Sequence, residues 1–94
     1  MSYNGWKNYE TWNVALWVDN EEGSYNERRE LARSARSVGE YAQTLKEWVE
    51  EMAPDLGASM FSDLLNAALS EVDWHEIAEA WYAEEEREAE EAEA

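Results

Sequence analysis

Three stretches of this chain place their large apolar residues at helical spacing, and that period restricts the fold more than any other feature. Tyr41, Leu45, Trp48, Val49 and Met52 form one stripe. Phe61, Leu64, Leu65, Ala68 and Leu69 form a second, and Ile77, Ala78, Trp81 and Tyr82 a third. No β-branched run alternates with polar residues. Asn4-Gly5, the one dipeptide suited to a tight hairpin, stands before the first helical segment rather than between two strands.

Start and stop signals bracket these stripes. Asn8 is placed to cap a helix from about Tyr9 to Asp19, with Trp12, Ala15, Leu16 and Trp17 turned inward. Ser24 with Glu27 and Ser37 with Glu40 have capping-box spacing, and Asp73 with Glu76 has the same reciprocal geometry. Val72 and Ile77 are spaced to form a hydrophobic staple around that last cap. Gly23, Gly39, Pro54 and Gly57 fall where stops or breaks are needed. The expected fold is all-α: a small bundle of four to five short helices with an acidic C-terminal helix or tail. A single domain over residues 1–82 is expected, followed by a Glu/Ala tail over 83–94. Ala and Glu favour helix there, but seven closely spaced Glu repel one another. That segment is expected to continue a turn or two past Tyr82 and then fray.

Ninety-four residues allow one modest core and no large cavity. Six Trp, five Tyr and one Phe supply the bulk to close it, at about 150–250 Å² buried per ring. With no cysteine, disulfides and thiolate metal sites are excluded. No apolar run approaches the roughly 20 residues of a membrane span, and the polar, aromatic N-terminus is unlike a signal peptide. The expectation is a cytoplasmic protein of a microbial cell, without membrane association.

The net charge of −16 is unevenly spread. Residues 1–36 hold six acids and five bases, 37–70 six acids and one base, and 71–94 eleven acids and one base. Such a field repels nucleic acid and attracts basic protein surfaces. The basic residues cluster instead: Arg28, Arg29, Arg33 and Arg36 fall within nine positions, spaced to pair with the acidic half of the same molecule. A homodimer held by the same charges is the alternative.

No catalytic, cofactor or metal constellation is present. His75 is the only histidine and reads as a surface residue. Gly-rich phosphate loops, nucleophile elbows and calcium-loop patterns are missing. The chain is therefore expected to be non-enzymatic and to need no cofactor. Two surfaces are candidates for partner binding. One is acidic: Glu47, Glu50, Glu51, Asp63, Glu76, Glu79, Glu84, Glu86 and Glu90, spaced so that carboxylates on helices approximate the dense charge of duplex DNA. The other is an aromatic patch of Trp6, Tyr9 and Trp17, competing with a structural role as a strap across a small core.

The string Asn8-Tyr9-Glu10-Thr11-Trp12-Asn13-Val14-Ala15-Leu16-Trp17 resembles the N-terminal signature of a family of small proteins found in phages, plasmids and their microbial hosts. That resemblance implies a mobile-element origin and carries no activity. In charge, size and acidic tail the chain is similar to phage anti-restriction DNA mimics and to acidic anti-CRISPR proteins. Together these point to a protein that binds a basic, nucleic-acid-handling host protein without binding nucleic acid itself. The competing expectation is an adaptor with a solvated, halophile-like acidic surface that binds partners through its Trp-rich segment.

Overall fold

A computed structural model describes residues 3–93, and these form five α-helices: α1 Tyr9–Asn20, α2 Glu22–Ser34, α3 Val38–Met52, α4 Met60–Ser70 and α5 Trp74–Glu93. The only β pairing among them is an isolated bridge between Tyr3 and Trp6. Asn4 and Gly5, at φ of 48° and 91°, make the tight turn that allows it.

Helix boundaries follow side-chain caps. The Asn8 side chain accepts from Thr11 N at 2.9 Å, Ser37 Oγ from Glu40 N at 3.1 Å, and Ser59 Oγ from Ser62 N at 3.1 Å. The Ser24–Glu27 box does not form. Helix α2 begins earlier, at Glu22, after a single extended residue, Glu21. Gly23 therefore lies inside α2 and stops nothing. Ser24 Oγ instead donates back to Val18 O at 2.7 Å and Glu21 O at 3.2 Å, covering a carbonyl that the end of α1 leaves open.

The core is small and aromatic. Tyr41, Leu45, Ile77, Ala78 and Trp81 form its centre, with Ala15, Val18, Ala32 and Val72 around them. Helices α3 and α5 pack together most extensively. The Tyr41 and Tyr82 rings lie 6.1 Å apart across that interface, and Tyr41 Oη donates to Arg28 O at 2.7 Å. Burial first of all pushes the Tyr41 phenol well above its ordinary value, so it stays a donor.

The N-terminal segment is joined to the α4–α5 junction by polar contacts across more than sixty residues of sequence. Asn8 Nδ2 donates to Glu71 O at 2.8 Å, and Lys7 N donates to Glu76 Oε1 at 3.0 Å. Asp73 N donates to the fully buried Thr11 Oγ1 at 2.9 Å. The reciprocal box expected of Asp73 and Glu76 is thus half made. Asp73 Oδ1 accepts from Glu76 N at 3.0 Å, but the Glu76 carboxylate has turned to Lys7 because Thr11 already holds Asp73 N. Val72 and Ile77 are both buried at this cap.

Three expectations about inward faces need correction. Trp17 is 68% exposed, because Thr11, Ala15 and Val18 are the residues that α1 buries. Met52, at the end of the α3 stripe, is exposed where α3 runs past the core. Helix α4 buries no side chain at all: Leu65 and Leu69 are half-buried, while Phe61, Leu64 and Ala68 face outward. The large rings of α3 and α5 already close the core, leaving α4 only one narrow edge to pack.

Helix α5 runs without a break from Trp74 to Glu93, through the 82/83 boundary set for the tail and beyond the turn or two expected of it. The arginines of α2 hold its Glu-rich part at Glu84, Glu85 and Glu88.

Candidate protein-binding surface

The charges of the molecule divide into an internal lattice and an outward face. Helix α2 directs Arg28, Arg29 and Arg33 at α5. Arg28 Nε donates to Asp19 Oδ1 at 2.8 Å, and its Nη2 lies 3.4 Å from Glu84 Oε2. Arg29 Nε donates to Glu85 Oε2 at 3.0 Å and its Nη2 also bonds Glu88. Arg33 Nε donates to Glu85 Oε1 at 2.8 Å while its Nη1 meets Glu30. The intramolecular pairing read from the arginine cluster is what the structure contains. Arg36 is the exception: it is exposed, its side chain makes no ion pair among the described residues, and its backbone N donates to Glu40 Oε1 at 3.3 Å.

Glu85 sits at the centre of this lattice, with only 9% of its surface exposed. Burial pushes its carboxyl up, but hydrogen bonds from Arg29 and Arg33 and their positive charges outweigh that and hold it below the usual carboxylate range. The same hydrogen bond to Glu85 raises the Arg29 guanidinium. Sequence reasoning missed Glu85 among its many acidic neighbours. The available signal was spacing: Glu85 follows Ile77, Ala78 and Trp81 on the buried stripe of α5.

The acidic candidates separate accordingly. Glu47, Glu50, Glu51, Asp63, Glu79, Glu86 and Glu90 are exposed. Glu84 is half-buried beside Arg28, and Glu76 is half-buried against the N-terminal segment, so both serve the fold. On α5 the exposed Glu79, Glu86 and Glu90 stand at i, i+7 and i+11, which is one helical face. On α3 the exposed Glu40, Glu47 and Glu51 repeat the same spacing. Lys46 and Arg87 are exposed on these two helices beside the carboxylates. His75 Nε2 lies 3.2 Å from Glu79 Oε1 one turn along α5, both side chains being exposed.

The three aromatic candidates also part company. Trp6 is half-buried and packs on the core. Tyr9 is exposed but belongs to a ring cluster, 5.4 Å from Tyr3 and 5.5 Å from Trp12 between centroids. Trp17 alone stands out from the bundle, where it lines a shallow depression with Met52 of α3 and the half-buried Leu65 and Leu69 of α4.

Among the described residues no cluster of three or more His, Asp or Glu side chains is placed to hold a metal ion. No helix among them is long and apolar enough to cross a membrane. What the arrangement offers is surface: two exposed carboxylate rows outside the ion pairs made by Arg28, Arg29 and Arg33, and an apolar margin. No curated protein and no solved structure matches the chain. A family model matches residues 1–93, and the chain belongs to that family, a family of unknown function (DUF7249).

Proposed function

We propose that this chain is a non-enzymatic, mobile-element protein that captures a basic, nucleic-acid-handling protein of its microbial host by offering carboxylates in place of phosphates. A host-defence nuclease is the type of partner such a surface suits. The observation that carries the reading is the sorting of charge. Arg28, Arg29 and Arg33 are committed to Asp19, Glu30, Glu84, Glu85 and Glu88, and Lys7 lies 3.9 Å from Asp73. The outer faces of α3 and α5 therefore keep their carboxylates for a partner. Seven residues of helix rise about 10.5 Å and four about 6 Å, so each row spreads its charge over a length comparable to several phosphates. A field of −16 steers a basic partner from a distance and repels nucleic acid.

The test is competition. The chain is set against a duplex oligonucleotide for host nucleases and DNA-binding proteins, at about 50 and 200 mM salt. Displacement of the duplex that weakens steeply at the higher salt, and is lost in Glu79→Gln/Glu86→Gln/Glu90→Gln, supports the reading. Displacement of none of them, or displacement indifferent to salt, overturns it.

A further inference from the structure

Helix α4 has the sequence of a core helix, yet its large side chains face out. Phe61 is 62% and Leu64 61% exposed, and Trp17 of α1 and Met52 of α3 are exposed near its other edge. Between α4 and the α1–α3 face lies a depression of about 690 Å³, lined by Trp17, Val49, Met52, Pro54, Leu65 and Leu69. A second of about 150 Å³ shares Leu65 and Leu69 and continues between Tyr9, Val14 and Val72. The two read as one apolar groove along the inner edge of α4. Its α1 wall extends from Tyr9 to Trp17, about 12 Å of helix, or two turns.

The ends of the groove are acidic. Glu10 lines it beside Tyr9, and Glu21 lines a connected hollow beyond Trp17. Glu50, Glu51 and Asp55 flank Met52, Ala53 and Pro54, and Asp63 stands between Phe61 and Leu64 on α4. Lys46, one turn before Val49, is the only base near that margin of α3.

We propose that this groove docks one amphipathic helix of a basic partner, with apolar anchors at i, i+4 and i+7 and Lys or Arg on either side. The inference rests on the reading that the partner is basic, and adds a second surface, distinct from the carboxylate row of α5, that gives the complex its apolar anchor. Charge complementarity selects the occupant. A second copy of this chain would bring −16 against −16, and an anionic membrane would meet the same repulsion. A helix with basic flanks places its cations against the acidic ends while its anchors cover Trp17, Met52 and Leu65. Aromatic and methionine side chains are suited to that role, since rings bury much area at low entropy cost and Met adapts its shape.

Two synthetic peptides test this. The first is helical, with Leu at i, i+4 and i+7 and Lys at most other positions; the second has the same charge with each Leu replaced by Ser. The first should bind at least about tenfold more tightly, since one buried Leu is worth that much. Trp17→Ala and Met52→Ala, both exposed residues that line the groove, should each weaken the first peptide by about tenfold while leaving the second unchanged, with circular dichroism verifying the fold. Amide exchange in α4 should slow when the first peptide is bound. Equal binding of the two peptides overturns the groove but leaves the acidic-face reading standing. Binding of neither also overturns it, and the oligonucleotide competition then judges the acidic face alone. Self-association of the free chain that disappears in Trp17→Ala would make a second copy the occupant and overturn the proposal.

Discussion

The Arg28 guanidinium lies over the Trp81 ring, 4.5 Å from its centroid, with Tyr25 at 4.8 Å from the same carbon. This arginine is 2% exposed, and its Nη1 has no hydrogen-bond partner among the described residues. Packing between rings and two ion pairs together offset the cost of burying it. Arg28→Ala should therefore lower stability by about 2–4 kcal/mol through lost packing, and Arg28→Met, which fills the space, by about half as much. Arg28→Lys should not restore the native value, since an ammonium cannot lie flat on both rings. Urea denaturation of the three variants orders them.

Glu85→Gln removes the negative charge shared by Arg29 and Arg33 and one of the two oxygens that accept from them. Both arginines are partly exposed and can rehydrate, so a loss of about 1–2 kcal/mol is expected at neutral pH. The Glu85 carboxyl is held below the usual carboxylate range, so its contribution is fully present above roughly pH 4.3, the unfolded value. It is lost as pH falls through the lower folded value. The stability gap between the native chain and Glu85→Gln should stay constant from neutral pH to about 4.3 and close below it.

Outward and inward glutamates of α5 should respond with opposite sign. Neutralising Glu79, Glu86 and Glu90 relieves repulsion, and each change to Gln is expected to raise stability by a few tenths of a kcal/mol at low salt. Glu85→Gln lowers it. Added salt should shrink the first effect much more than the second, because exposed charges are screened and buried ones much less. Thermal melts across a salt series measure both.

Thr11→Val keeps the shape of a fully buried side chain and removes the acceptor for Asp73 N. An unsatisfied, partly buried N–H costs about 1–3 kcal/mol. The loss should concentrate at the α4–α5 junction, where hydrogen exchange of residues 71–76 should speed up more than that of α3.

Several features were legible in the residues themselves. The helical class follows from a period of apolar residues that suits no strand, and the starts of α1 and α3 follow from Asn8 and Ser37, whose side chains meet a backbone N–H three residues on. The arginine cluster of α2 announced an internal tie because the remainder of the chain is so acidic. These are local or bulk properties, fixed by spacing and charge alone.

Tertiary structure decided which of several equivalent residues did the work. Ser24 has the spacing of a cap, but it lies beside the last carbonyls of α1 once α2 begins early, and it donates there instead. Glu84, Glu85 and Glu86 are indistinguishable as neighbours in sequence. Only the packing of α2 against α5 buries Glu85, pairs Glu84 with Arg28 and leaves Glu86 in water. The stripe of α4 reads like the other two, yet a core already closed by Tyr41, Ile77 and Trp81 has no room for it. Periodicity states which residues can be buried together; how much surface the rest of the fold leaves to cover them is settled only in three dimensions.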